Sequence, residues 1–125
     1  MSRHKQNVLI VDDEPSIRDS VSRILENRGY HVTAACGGRE ALDMIPAFKP
    51  DVVLLDIIMP GLNGYEVCRQ LRHDYPAVRI IYFTAKVDVE DFKGNTIDER
   101  QADAVIEKPA SSEKIITCTN QVLGR

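Results

Sequence analysis

The stretch Asp51-Val52-Val53-Leu54-Leu55-Asp56 restricts this chain more than any other. Four consecutive apolar residues closed by a carboxylate read as a strand buried on both faces. Such strands belong to parallel sheets covered by helices on each side. Asp56 then stands at the C-terminal edge of its strand, where open parallel sheets bind ligands. The turn that follows contains Pro60, which stiffens it, and Gly61 and Gly64, which are free to take unusual dihedrals, so the edge opens directly onto a helix. An aspartate after a strand can also do no more than cap the next helix. Its meaning depends on what the other strands deliver beside it.

The rest of the chain alternates between strand and helix patterns. Asn7 to Asp12 reads as a strand, and Ser16 to Arg28 as a helix with Ile17, Val21, Ile24 and Leu25 on one face. Gly29 stands where a helix is closed by a left-handed glycine. Tyr30 to Ala35 reads as a more polar strand at a sheet edge. Gly37-Gly38 precedes a helix with Ala41, Leu42 and Ile45 inward, which Pro46 should end or kink near Ile45 because it lacks an amide donor. After the central strand, Gly64 to His73 reads as a helix burying Val67, Cys68 and Leu71. Arg79 to Phe83 is a fourth strand ending at Thr84, and Ala104 to Glu107 a fifth ending at Lys108-Pro109. A last helix, Ser111 to Leu123, turns Ile115, Ile116, Cys118, Val122 and Leu123 inward. Strands separated by helices imply right-handed crossovers and an α/β, doubly wound parallel sheet in a (βα)5 arrangement.

At 125 residues, 43% hydrophobic and 28% charged, the chain is sized for one domain spanning 1–125, with an ordinary core. A net charge of −3 argues against a nucleic-acid partner, which needs a basic face. The polar start Met1-Ser2-Arg3-His4-Lys5-Gln6-Asn7 does not read as a signal peptide. No apolar run approaches the roughly 18 residues that span a bilayer. Cys36, Cys68 and Cys118 are odd in number and widely spaced, which suits reduced, half-buried thiols in a cytoplasmic protein rather than disulfides or a zinc site. His4, His31 and His73 follow no metal-ligand spacing and read as surface or edge residues.

The polar residues that terminate the apolar strands are Asp12 and Asp13, Asp56, Thr84 and Lys108. A doubly wound sheet gathers them into one crevice. Three carboxylates so close together repel one another unless a cation compensates. Oxygen ligands without His or Cys point to Mg²⁺, which is typically held by one or two carboxylates, waters and a phosphate. Lys108 and the Thr84 hydroxyl supply a cation and a donor for phosphate oxygens. A carboxylate beside Mg²⁺ can itself act as a nucleophile, forming an aspartyl phosphate. Asp12-Asp13 as a helix N-terminal acidic pair would account for those two residues but not for Thr84 and Lys108.

These residues resemble the response regulator receiver domain of two-component signalling. The resemblance rests on Val11-Asp12-Asp13-Glu14-Pro15, Asp56-Ile57-Ile58-Met59-Pro60 with Gly64, Thr84-Ala85 and Lys108-Pro109, in that order, and covers nearly all of residues 7 to 123. It implies a flavodoxin-like fold with a five-stranded parallel sheet in the order 2-1-3-4-5, and a cis Lys108-Pro109 bond. It implies that Asp56 accepts a phosphoryl group from the phosphohistidine of a sensor histidine kinase or phosphotransfer protein. By the same resemblance Asp13, Asp56 and the backbone carbonyl of Ile58 bind Mg²⁺ directly and Asp12 through water. Thr84 then bonds a phosphoryl oxygen and Lys108 pairs with the phosphate. The helix after Asp13, around Ile17, Ser20 and Arg23, is the implied kinase-docking face. The output is an unidentified downstream protein or output domain.

Two departures bear on how such a domain would switch. The family usually carries Tyr or Phe three residues before the lysine, and that position here is Val105, which has no ring to swing. The segment between Thr84 and Lys108 is about two residues longer than usual, and within it Asp88 to Gln101 has only Val89, Phe92 and Ile97 as large apolar anchors and contains Gly94-Asn95 where a helix is expected. It reads as a short or broken fourth helix that responds to modification of Asp56. Two other classes compete with a phosphorylated signalling module. One is a receiver-fold binding module that works without phosphate. The other is a Mg²⁺-dependent phosphohydrolase of the haloacid dehalogenase type, which would want Asp-x-Asp on the first strand in place of the adjacent Asp12-Asp13.

Overall fold

The computed structural model describes residues 5–85 and 102–125. At its centre is the strand that the apolar run foretells, β3 (Val52–Leu55), with each of its residues no more than 1% exposed. It pairs in parallel with β1 (Asn7–Val11) on one side, Val8 opposite Val52, and with β4 (Arg79–Thr84) on the other, Val52 opposite Arg79. The edge strands are β2 (His31–Ala35), against β1, and β5 (Ala104–Glu107), against β4. The sheet order is therefore β2-β1-β3-β4-β5, all parallel, as the family resemblance implied.

Four helices are present among the described residues: α1 (Pro15–Glu26), α2 (Gly38–Phe48), α3 (Gly64–Asp74) and α4 (Ser112–Val122). Strand alternation sends successive side chains to opposite faces. Leu9, Val11, Val53, Leu55 and Tyr82 accordingly pack with Ala41 and Ile45 of α2 and with Val67, Cys68 and Leu71 of α3. Val8, Ile10, Leu54, Ile81, Phe83 and Ile106 pack with Val21 and Leu25 of α1 and with Ile115 of α4. Fully burying one such aliphatic side chain contributes about 1.5–3 kcal/mol. Among the described residues, no helix is long and apolar enough to cross a membrane.

Helix boundaries follow local chemistry. Pro15 occupies the first turn of α1, where a missing amide proton costs nothing. The Asn63 and Ser111 side chains accept from the amides of Glu66 and Lys114, at 3.0 and 3.1 Å, and so start α3 and α4. Gly29 takes φ 92° beyond α1. The Lys108-Pro109 bond is cis.

Several local expectations are corrected. Helix α2 does not end near Ile45: it contains Pro46 and runs to Phe48, where Lys49 takes a left-handed conformation and its amide bonds to the Ile45 carbonyl at 2.9 Å. Pro46 lies so near the C-terminus that it forfeits one hydrogen bond without blocking the final turn. Gly61 has the positive φ expected of it, 78°, but Gly64 does not. Gly64 is required for space: a Cβ there would lie 2.3 Å from the Asp56 carbonyl oxygen and 2.7 Å from Ile57 Cα. Cys36 is exposed and Cys68 fully buried, so only Cys118 is the half-buried thiol expected of all three. In α4, Thr119 is fully buried where the pattern had only apolar residues, its hydroxyl donating to the Ile115 carbonyl at 2.8 Å. The expected helix from Asp88 to Gln101, with Gly94-Asn95, lies outside the described residues, as does His4.

One tertiary device without a sequence signal fixes β5. Asp103 accepts from Arg72 Nη2 at 2.7 Å, from the Ile80 amide at 2.8 Å and from Arg79 Nη1 at 3.4 Å. These bonds tie the start of β5 to α3 and β4, and so set where its far end, with Lys108, emerges. Burial would raise the Asp103 pKa, but the Ile80 amide and the Arg72 guanidinium outweigh it and hold the carboxyl below its usual value.

Candidate functional site

Each polar residue singled out lies just past, or at, the C-terminal end of a parallel strand, and backbone bonds continue the ladder to hold it there. The Asp12 amide donates to the Ala35 carbonyl (3.1 Å), the Asp56 amide to Val11 (2.9 Å), and the Lys108 amide to Thr84 (2.8 Å). The sheet therefore positions the acids and the lysine through main-chain geometry before any side chain interacts.

The acids converge. Asp12, Asp13 and Asp56 each place a carboxylate oxygen within 4.8 Å of the others. Asp12 and Asp56 are buried, at 1% and 6% exposure, whereas Asp13 faces solvent. This is a hard-oxygen donor set with one open side, which fits a partly hydrated divalent cation such as Mg²⁺.

Lys108 enters from the other direction. Its ammonium lies 2.5 Å from Asp12 Oδ2 and 3.3 Å from Asp56 Oδ2. Asp12 is thus its closer partner. The remaining Asp12 oxygen accepts from the Glu14 amide at 2.9 Å, and the Asp12 carbonyl accepts from Arg18 Nη1 at 2.8 Å. Asp56 Oδ1 accepts from the Ile58 amide at 3.3 Å.

The electrostatics follow from burial and these contacts. Desolvation raises the Asp56 pKa and the Asp12 charge adds to it, with Lys108 only partly compensating. Burial alone would lower the Lys108 pKa, but the hydrogen bond and charge of Asp12, helped by Asp56, push it up. Lys108 is therefore a secure cation at neutral pH. The Thr84 hydroxyl, 1% exposed, has no hydrogen-bond partner among the described residues. A buried hydroxyl left unpaired costs roughly 1–3 kcal/mol, so it is a donor waiting for an acceptor.

The arrangement can hold a cation, present Asp56 as a nucleophile, and stabilise a transferred anionic group with Lys108 and Thr84. Ile58 lies beside Asp56 with 68% of its surface exposed, and Val105 on β5 is 41% exposed. Two residues near the site had no part in the sequence reasoning. Arg18 braces the Asp12 carbonyl, and the Phe83 ring lies under the Lys108 ammonium, 5.3 Å from its centroid. Helical spacing could have found Arg18, one turn into α1 and facing back to its own start. No local signal places Phe83 beneath a lysine just past the end of another strand. A groove of ≈ 810 Å³ opens at the opposite end of the sheet, among Asp51, Arg79, Asp103 and Gln121. It holds none of the converging acids, and the charges rather than the depth of a cavity mark the site.

Known proteins share both the fold and the sequence. Response regulator MprA of Mycolicibacterium vanbaalenii is 39% identical over 118 residues, covering 94% of this chain and 50% of that protein. The chain thus spans about half the length of the curated relatives it matches. The chemotaxis protein CheY4 of Vibrio cholerae has a similar structure at TM-score 0.87 and 32% identity, over 96% of this chain and 100% of that one. TrrA of Thermotoga maritima, a response regulator whose structure is a complex with Mg²⁺-BeF, superimposes at TM-score 0.84 and 30% identity, over 94% and 99%. The sequence profile of the response regulator receiver domain matches residues 8–120, and with the parallel sheet and its acidic edge this makes the chain a member of that family of two-component signalling modules.

Proposed function

We propose that this domain accepts a phosphoryl group on Asp56 from the phosphohistidine of a sensor histidine kinase or phosphotransfer protein, in a Mg²⁺-dependent reaction, and that the modification switches a protein-binding output surface. The observation that carries the reading is the convergence on one sheet edge of a buried Asp56, a Lys108 ammonium 3.3 Å from it, and a buried Thr84 hydroxyl without a partner among the described residues. An Asp56 oxygen attacks phosphorus and the P–N bond breaks. Its electron pair stays on the imidazole nitrogen, which takes up a proton, and an acyl phosphate remains. Lys108 shifts from Asp12 toward the new phosphoryl oxygens, and Thr84 donates its hydroxyl to one of them. Asp13, Asp56 and the Ile58 carbonyl would hold the metal directly and Asp12 through water. Bound Mg²⁺ supplies neutralising charge for the phosphoryl oxygens. The likeness to TrrA, whose structure contains Mg²⁺-BeF, supports this. The domain is the substrate of its own single phosphorylation and slow dephosphorylation, not a turnover enzyme, and works in the cytoplasm.

Incubation with Mg²⁺ and a small phosphodonor, followed by intact mass measurement, tests the reading. A durable single adduct is the expected result. No adduct would favour a binding module that works without phosphate, and multiple turnover of the donor would favour a phosphohydrolase.

Two further outcomes are expected. Mg²⁺ binds weakly without phosphate, and Asp13→Ala weakens it by about tenfold or more, since even the loss of a residue supporting a ligand costs that much. Wild-type affinity in the variant, by titration calorimetry, would move the metal elsewhere. The exposed apolar Ile58 offers no hydrogen bond to a water approaching the acyl phosphate. Ile58→Asn should therefore shorten the adduct lifetime by about threefold to tenfold. An unchanged decay rate would remove Ile58 from the account.

A further inference from the structure

We infer that Phe83 is a positioning residue for Lys108, its ring face holding the ammonium in the crevice between Asp12 and Asp56. The functional consequence rests on the phosphoryl-acceptor reading above. Phe83 is the penultimate residue of β4 and only 4% exposed. It pairs in register with Ile106 of β5. Lys108 comes two residues after Ile106 and so leaves the sheet on the same face, its amide tied to the Thr84 carbonyl at 2.8 Å. The sheet register itself thus brings the lysine over the ring, with Nζ 5.3 Å from the centroid, inside the range over which a ring face attracts a cation. The Lys108 side chain is 11% exposed, so water competes little with that attraction.

The ring does something the carboxylates cannot. Asp12 and Asp56 hold the ammonium through directed hydrogen bonds at 2.5 and 3.3 Å, which break when it moves. The attraction of an aromatic face is spread over its area, so the ammonium stays stabilised as it shifts from Asp12 toward a phosphoryl oxygen on Asp56. An aliphatic side chain of similar bulk would fill the same space beside Ile81, Ile106 and Ile115 but would offer no such field. Packing and positioning are therefore separable by substitution.

The test compares wild type, Phe83→Met, Phe83→Leu and Phe83→Tyr in two measurements. Proton NMR without any phosphodonor reads the Lys108 ε-methylene, which a ring face shifts upfield. The rate of adduct formation with Mg²⁺ and a small phosphodonor reads the consequence. The upfield shift is expected in wild type and Phe83→Tyr and absent in the two aliphatic variants. Adduct formation is expected to slow by about fivefold in those two and to be restored by Tyr. If Phe83→Met folds poorly, Phe83→Leu decides. An unshifted Lys108 in wild type, or a wild-type rate in a folded aliphatic variant, overturns the inference. A shifted Lys108 in a wild-type protein that forms no adduct would leave the positioning role standing and overturn the proposed function instead.

Discussion

Asp56→Asn is expected to take up no phosphoryl group and, at neutral pH, to be more stable than the wild type. The loss of labelling follows because an amide oxygen is a poor nucleophile, and Asp12, the other buried acid at that edge, has both carboxylate oxygens engaged, one by Lys108 and one by the Glu14 amide. The gain in stability follows from the cost of holding Asp56 ionised. Burial, then the Asp12 charge, raise its pKa above 3.8 in the folded protein. Between that ordinary value and the raised one, the folded state binds more protons than the unfolded state. Stability from this group therefore falls as pH rises through the window, and the penalty is fully present above it. Asn keeps the shape and the acceptor for the Ile58 amide, while Lys108 retains its closer partner Asp12. The gain should shrink toward zero as pH falls through the ordinary carboxylate range. Thermal melts of both proteins at neutral and acidic pH check this. A variant less stable than wild type at neutral pH contradicts the electrostatic account, and retained labelling contradicts the assignment of Asp56. Both results together would set activity against stability at this residue, as is common at functional sites.

Gly64→Ala should be the most damaging single methyl in the described structure. Its Cβ would lie 2.3 Å from the Asp56 carbonyl oxygen, and both of its nearest neighbours are backbone atoms that cannot rotate away. The Gly64 amide also bonds to the Ile57 carbonyl at 3.0 Å, so displacing α3 breaks that bond as well. A destabilisation of about 3 kcal/mol, the upper range for overpacking, is expected. Slower adduct formation should accompany it, because the strain falls on the loop carrying Asp56 and Ile58. Gly38→Ala is the comparator: its nearest contact, at 2.6 Å, is the Val67 side chain, although the Leu62 carbonyl lies 3.0 Å away. Its cost should be smaller. Denaturant midpoints for the two variants decide the ranking, and an unperturbed Gly64→Ala would show that α3 yields freely.

The nine elements of the described residues were legible in the sequence, to within a few residues at their ends, because their signals are local. Val52–Leu55, a short apolar run closed by a carboxylate, reads as a doubly buried strand, and Ile17, Val21, Ile24 and Leu25 as one face of a helix. The acids, Thr84 and Lys108 were legible as a group because parallel strands all deliver their C-terminal residues to one edge. The strand order and the separate roles of the site residues came from resemblance, since neither spacing nor composition orders a sheet. Pro46 does not end α2 because so few residues of helix remain after it. The need for glycine at 64 is steric rather than dihedral, and only a packed neighbour reveals that a Cβ has no room.

What the sequence by itself determined is therefore the alternation of strand and helix, the parallel sheet, and the set of polar groups at its edge, all written in periodicities that act over a few residues. Only the tertiary structure decided how those groups are shared out. It gave Lys108 to Asp12 more closely than to Asp56, left the Thr84 hydroxyl without a partner among the described residues, set the Phe83 ring under the ammonium, and anchored β5 through Asp103. Each of these depends on distances of a few ångströms between residues far apart in the chain. Such distances are set by sheet register and close packing, which no local pattern encodes.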